Sequence, residues 1–183
     1  MAMLRLEPQE TSIVELKAKV GSLKPFREKL ESLNAEYVGT FHQVDTYYEV
    51  PQGRLKIRET EGESGAQLVY YERPDVQGPK QSHVFIVELT KPQFMKKFLK
   101  SVLRTKAVVD KQRAIYHVVE TQVHLDTVKN LGTYVEFEKR IENTPEAIKK
   151  AHENLEILMQ TLSVKKETLQ KGSYCDLVMQ KAT

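Results

Sequence analysis

The chain has 183 residues, of which 40% are hydrophobic and 29% charged, with a formal net charge of +3. That length suits one domain with a substantial core, spanning residues 1–183, and the balance is that of a soluble globular protein. The mild basicity does not mark a nucleic-acid binder, and the single Cys175 excludes an internal disulfide and a cysteine-rich zinc site. A reduced thiol is compatible with a cytoplasmic protein. The N-terminal stretch MAMLRLEPQE has no apolar segment of the signal type, and no run approaches the roughly 20 apolar residues of a membrane helix, so no membrane partner is expected.

In TSIVELKAK the residues Val14, Leu16, Ala18 and Val20 share one parity and Glu15, Lys17 and Lys19 the other. Successive side chains of a strand point to opposite faces, so one face is apolar and the other charged. Phe26, Leu30 and Leu33 then recur at helical spacing and predict an amphipathic helix over residues 23–35. QVDTYYEV and RLKIRET flank the turn PQG. In the second of these strands Arg54, Lys56 and Arg58 oppose Leu55 and Ile57. AQLVYYERP reads as a strand ended by Pro74, DVQGPKQS as a loop and HVFIVELTK as another strand. Pro92 opens a helix over 92–104 with Phe94, Phe98, Leu99 and Val102 on its apolar side.

DKQRAIYHVV places Lys111 and Arg113 on one parity, TQVHLDTV adds Gln122, His124 and Asp126, and KNLG is a turn signal. TYVEFEKR sets Glu136 and Glu138 against Val135 and Phe137. A third helix over 145–162 has Thr144 as its cap, Pro145 at its first position and Glu146 in its first turn. The tail SYCDLVM reads as a short strand or turn. Runs of strands joined by short links and separated by helices define an α+β protein with a mainly antiparallel sheet.

The charged parity gathers Glu15, Lys17, Lys19, Arg54, Lys56, Arg58, Lys111, Arg113, Asp126, Glu136 and Glu138 from several strands. A sheet with one wet face would show the same alternation. Two features favour an inward-facing lining. The signs are segregated by strand, three bases at 54–58 and acids at 126, 136 and 138, whereas like charges side by side are unfavourable on an open face. The helices also need apolar partners, which the other parity supplies if the sheet closes into a barrel with the helices outside. A concave basic lining calls for a polyanion, and carboxylates beside it suit Mg²⁺ or Mn²⁺.

Five segments in order, IVELKAK at 13–19, QVDTYYEVPQGRLKIRE at 43–59, VDKQRAIY at 109–116, VHLDTVKNLGTYVEFE at 123–138 and SYCDL at 173–177, resemble the CYTH superfamily. This is the group of class IV adenylate cyclases and thiamine triphosphatases, or triphosphate tunnel metalloenzymes, and the cyclase-like branch is the most similar. The resemblance implies an eight-stranded antiparallel closed β-barrel holding a triphosphate in a basic channel with Mg²⁺ or Mn²⁺ on acidic residues. It implies that Lys17, Lys19, Arg54, Lys56, Arg58, Arg73, Lys111 and Arg113 bind phosphate, with Glu72 aligning as readily as Arg73. It places metal on Glu15, Asp126, Glu136 and Glu138, and catalysis on Glu15, Lys17 and Lys111. The chain departs from the signature at its first acid, which falls on Ile13. That leaves open two metals or one, held by Glu15 with Glu136 or Glu138.

These residues point to hydrolysis of an organic or inorganic triphosphate such as ATP, thiamine triphosphate or tripolyphosphate. The alternatives are cyclisation of ATP to cyclic AMP and pyrophosphate, and a binding module that cuts its ligand poorly. Either reaction is mostly positioning and charge stabilisation. Cyclisation also needs a nucleoside pocket, for which Tyr47, Tyr48 and Tyr116 are stacking candidates, though tyrosine is also an ordinary strand residue. Nucleic acid is disfavoured, since the bases alternate along strands and there is no Trp. The five histidines have no His-x-x-x-His spacing; His124 is read either as a substrate contact or as a structural hydrogen-bond partner. No P-loop pattern occurs, Cys175 is read as an inert thiol, and the chain is expected to be a monomer or homodimer.

Overall fold

The computed structural model describes residues 8–182, so most of the N-terminal stretch read above for a signal lies outside the described residues. Strands β1 (Gln9–Val20), β2 (Glu36–Tyr48), β3 (Arg54–Thr60), β4 (Ala66–Glu72), β5 (Lys80–Leu89), β6 (Thr105–Val118), β7 (Thr121–Val128) and β8 (Gly132–Ile141) form a closed barrel. The order around it is β1-β5-β4-β3-β2-β6-β7-β8, every adjacent pair is antiparallel, and β8 returns to β1. The helices are α1 (Lys24–Ser32), α2 (Pro92–Val102), α3 (Pro145–Thr161) and α4 (Tyr174–Ala182), with a 3-10 turn at Lys166–Thr168. Among the described residues no helix is long and apolar enough to cross a membrane.

The parity argument fixes which way each strand faces. Val14, Leu16 and Ala18 of β1 point outward into a core shared with Leu30 of α1 and Ala151, Leu155 and Met159 of α3. On the opposite side Tyr48 of β2, Ile57 of β3 and Leu89 of β5 receive Leu99 of α2, with Met95 and Leu103 packed against them. Apolar burial outside the barrel therefore turns the charged parity into its interior, because a one-residue slip would exchange the two faces.

Local signals account for the helix ends. Thr144 accepts a hydrogen bond at its Oγ1 from the Ala147 amide at 3.2 Å, and Pro145 occupies the first turn. The KNLG turn closes the β7–β8 hairpin with Asn130 at φ 64°, a left-handed conformation that asparagine tolerates. The tail corrects the strand-or-turn reading, since SYCDLVM runs into helix α4. Its start is a reciprocal cap: the Ser173 amide donates to Asp176 Oδ2 at 2.7 Å, and the Asp176 amide donates to Ser173 Oγ at 3.3 Å. β2 and β6 also start earlier than the runs QVDTYYEV and DKQRAIYHVV, because each continues along the other, β2 from Glu36 opposite His117 and β6 from Thr105 opposite Tyr48.

Candidate functional site

The barrel interior holds a cavity of about 120 Å³ lined from β1 through β6 and β8 and by Ser173 and Tyr174. Organic ligands usually occupy roughly 300–1,000 Å³, so paired side chains fill much of the space a ligand would take. Exposure grades along β8, where Glu136 is buried, Glu138 half-buried and Arg140 exposed. The mouth is therefore at the Arg140 end. Tyr174 stands deep in the barrel with its ring edge on Tyr134 at 5.1 Å between centroids.

Asp45 of β2 is the hub of the basic side. Arg58 Nε and Nη2 donate to its two oxygens at 2.8 Å, while Lys56 and Lys111 both donate to Oδ2 at 2.9 Å. Burial raises the Asp45 pKa, but Arg58, Lys111 and Lys56 together outweigh it and hold the carboxyl well below its usual range. Burial and the neighbouring Arg58 lower Lys56 to about 8. Lys111 is also well below its ordinary value, through burial and then the nearby guanidinium groups, despite the attraction of Asp45. Lys111 stands behind the cavity wall and meets it through Asp45.

A second network joins β1, β6, β7, β8 and α4. Arg113 donates from Nε and Nη2 to Asp126 at 2.8 and 2.6 Å, and the Tyr174 hydroxyl donates to Asp126 Oδ2 at 2.6 Å. Both Asp126 oxygens are thus engaged within the wall. Arg113 also reaches Glu136 at 3.3 Å. Lys17 pairs with Glu136 at 2.8 Å and lies 3.8 Å from the Tyr174 ring centre, a cation–π contact. Burial raises the Glu136 pKa, and the Lys17 and Arg113 charges pull it well below the usual carboxylate range.

Glu15 is ion-paired with Arg73. Two other polar groups of the Arg73 guanidinium, Nε and Nη2, are buried without a partner among the described residues, as is the Ser82 hydroxyl across the wall. His124, Glu136 and Glu138 offer three donor atoms all within 4.8 Å of one another, the span of one ion's ligands. Two carboxylates and an imidazole can together hold a divalent cation. His124 also bonds to Glu136 at 3.3 Å and to Gln122 at 3.1 Å.

The interior thus brings together Glu15, Lys17, Lys56, Arg58, Arg73, Lys111, Arg113, Asp126, Glu136 and Glu138. It leaves out two expected phosphate contacts. Lys19 lies at the exposed end of β1. Arg54 is committed elsewhere, donating to Asp75 at 2.8 Å and to Asp176 at 2.7 Å, where it ties the β4–β5 loop to α4. Of the three tyrosines named as stacking candidates only Tyr47 lines the cavity. Tyr48 packs in the outer core, and Tyr116 accepts a hydrogen bond from Arg27.

Sequence reasoning missed Asp45, Lys80, Ser82 and Tyr174 as interior residues. Asp45 shares parity with Tyr47 and sits in a run of polar and aromatic residues, and pairing with the basic strand was its available signal. Lys80 was hidden in an apparent loop. Its ammonium donates to the carbonyls of Val76, Gln170 and Lys171 at 2.8–3.0 Å and joins that loop to the segment before α4. Cys175 is buried, and burial followed by the Asp176 charge pushes its thiol up to about 11, as befits an inert group.

A closed antiparallel barrel with this charged interior places the chain in a known class: it belongs to the CYTH domain family, whose model matches residues 13–174. A curated relative from Methanocaldococcus jannaschii, named as a candidate adenylate cyclase, is 26% identical over 173 residues, covering 90% of this chain and 97% of that protein. Among solved structures, a conserved hypothetical protein from Pyrococcus furiosus superposes with TM-score 0.81 at 25% identity, covering 90% of this chain and 99% of that one. A Hippeastrum protein, described as an adenylyl cyclase candidate with a dominant triphosphatase activity, superposes with TM-score 0.58 at 18% identity, covering 88% and 91%.

Proposed function

We propose that this protein binds a triphosphate in the barrel and hydrolyses its terminal phosphoanhydride with the help of a divalent cation. The observation that carries this reading is the convergence of Lys17, Lys56, Arg58, Arg73 and Arg113 on one interior cavity, directly beside the His124, Glu136 and Glu138 donor group. Cations held inside a low-dielectric wall bind a polyanion far more strongly than the same cations on a surface. CYTH proteins act on triphosphates, which agrees with the reading.

In this scheme Lys56 and Arg58 turn from Asp45 to the phosphate chain, and Arg113 and Lys17 hold it from the opposite wall. Their fixed positions supply charge where it develops on the transferring phosphoryl group. His124, Glu136 and Glu138 would hold the cation, which supplies charge neutralisation at phosphate oxygens when bound. Glu15, released from Arg73 when that guanidinium meets phosphate, is placed to accept a proton from attacking water.

The name of the Methanocaldococcus jannaschii relative favours a second reading, cyclisation of ATP. That reaction requires the ribose 3′-hydroxyl to be held against the α-phosphorus. The wall at the mouth is formed by the aliphatic Ile13, Val69, Val84 and Ile86 with Thr11, Gln67 and Arg140 as its polar side chains, of which Gln67 already donates to Glu88, whereas hydrolysis needs no such pocket. Hydrolysis is therefore the better supported of the two. Product analysis separates them. Protein incubated with ATP, thiamine triphosphate or tripolyphosphate and Mg²⁺ or Mn²⁺ should release orthophosphate, and EDTA should stop it. Cyclic AMP with pyrophosphate would establish the cyclase, and no product despite tight tripolyphosphate binding would leave a binding protein.

A further inference from the structure

The interior is built of two chemically different zones. Along the β1–β8 pair the deepest partners are Lys17 and Glu136, then Glu15 and Glu138, then Ile13 and Arg140 at the mouth. At that last level the charged lining stops on one side. Ile13, Val69 and Val84 are 6%, 6% and 8% exposed and touch one another, with Ile86 and Tyr71 packed against them. This cluster lies inside the barrel and borders the cavity, apart from the two cores beneath the helices. Register makes it continuous: Ile13 pairs with Ser82, Val84 with both Thr11 and Tyr71, and Ile86 with Val69. Val69 in turn pairs with Lys56 of the basic strand.

A tunnel for a bare polyphosphate gains nothing from aliphatic side chains at its mouth, since they offer neither charge nor hydrogen bonds. They do gain from a ligand whose uncharged part is apolar, because that contact removes both surfaces from water. Unpartnered buried groups mark where the charged part meets this wall. Among the described residues Arg73 Nε and Nη2 and Ser82 Oγ have no partner, and Arg73 follows Glu72, which pairs with the residue after Ser82. A donor pair without an acceptor therefore borders a mostly buried aliphatic patch whose remaining exposed surface faces the cavity.

We infer that the ligand of this tunnel is a polyphosphate ester of an apolar alcohol, of the alkyl or isoprenyl type. Its phosphates lie among Arg73, Lys56 and Arg58, and its hydrocarbon lies on Ile13, Val69, Val84 and Ile86. The inference rests on the reading above that phosphate binds among these cations.

Titration calorimetry of the full chain with Mg²⁺ tests it, using geranyl diphosphate, inorganic pyrophosphate, ADP and tripolyphosphate as probes. Geranyl diphosphate should bind at least tenfold more tightly than pyrophosphate and than ADP; a smaller difference from either overturns the inference. In an Ile13→Thr, Val84→Thr double variant, confirmed as folded by its thermal transition, the preference over pyrophosphate should fall below threefold. Retention of the full preference there, or in a single Val84→Thr variant if the double variant does not fold, also overturns it. Tripolyphosphate binding without any preference defeats this inference alone, whereas failure of every phosphate probe to bind defeats the phosphate-tunnel reading as well.

Discussion

Replacing Asp45 with Asn removes the one carboxylate on which Arg58, Lys56 and Lys111 converge at 2.8–2.9 Å. Asp45 is 1% exposed, so the change leaves the buried Lys56 and Lys111 and the half-buried Arg58 facing an uncharged amide. Breaking a buried ion pair by removing one partner costs about 3–5 kcal/mol. For a domain of this size each kcal/mol shifts the melting temperature by about 2–4 °C, so Asp45→Asn should lower it by roughly 6–20 °C. Tripolyphosphate should then restore more stability to the variant than to the wild-type protein, since its charge replaces the missing carboxylate without having to displace it. A ligand present at a hundred times its dissociation constant adds about 2.7 kcal/mol, well within the resolution of a melting curve. Differential scanning calorimetry with and without tripolyphosphate reads both effects. A melting temperature within about 2 °C of wild type, or a ligand-induced rise no larger than that of the wild type, would refute the claim that Asp45 stands in the place of phosphate.

Three further outcomes are expected. Lys56→Ala and Arg58→Ala should each weaken tripolyphosphate binding by about 2–5 kcal/mol in calorimetry, and unchanged binding in both would remove the basic side from the site. Glu138→Gln should lower Mg²⁺-dependent phosphate release by at least the roughly 10–100-fold that losing a supporting partner costs, and should raise the Mg²⁺ concentration needed for half activity. Stability should climb with pH through the window in which Lys56 and Lys80, each lowered to about 8 chiefly by burial, shed protons while their unfolded counterparts keep them. The rise should reverse above roughly pH 10, where tyrosines of the unfolded chain ionise. Tyr71 by contrast is held up to about 12 by burial. Denaturant titrations from pH 7 to 11 check the sign, and a monotonic fall from pH 8 would contradict it. Tripolyphosphate affinity should decline over the same rise because Lys56 loses its charge.

The parity of charged and apolar residues was enough to read which face of each strand turns inward once the sheet closes, since only one face can lie under the helices, while the eight-stranded closure itself was read from the resemblance to the CYTH superfamily. Lys17, Lys56, Arg58 and Glu136 were legible for the same reason. Partnership was not legible. Arg54 shares its face with Lys56 and Arg58, yet it sits at the start of β3, within reach of Asp75 and Asp176, and leaves the cavity. Lys19 continues the face of Lys17 beyond the end where the barrel walls enclose it. Asp45 was passed over because one acid beside two tyrosines carries no pattern; its role arises from the β2–β3 pairing with Arg58 and from Lys111, which lies 66 positions away in sequence. Helix α4 had a readable start in Ser173 and Asp176, the spacing of a reciprocal cap, but the short tail hid its periodicity.

The pairing of nearly every interior cation with a carboxylate bears on how such a site selects its ligand. Asp45 pairs with three bases and offsets only part of their charge, Asp126 and Glu136 pair with Arg113 and Lys17, and Glu15 pairs with Arg73. Without those acids the barrel would have to bury uncompensated positive charge, which several kcal/mol per ion would oppose. With them, a weak or singly charged anion gains little, because each contact it makes breaks one already present. Under the proposed function a chain of phosphates would engage several cations at once and repay the exchange at each, which would favour ligands long enough to span from Lys56 and Arg58 to Arg113. Arg73 is the exception, since it keeps unpartnered donors while paired with Glu15. Under the proposed function it would take a first phosphate oxygen before any pair has opened, and so would be the point of entry for the ligand.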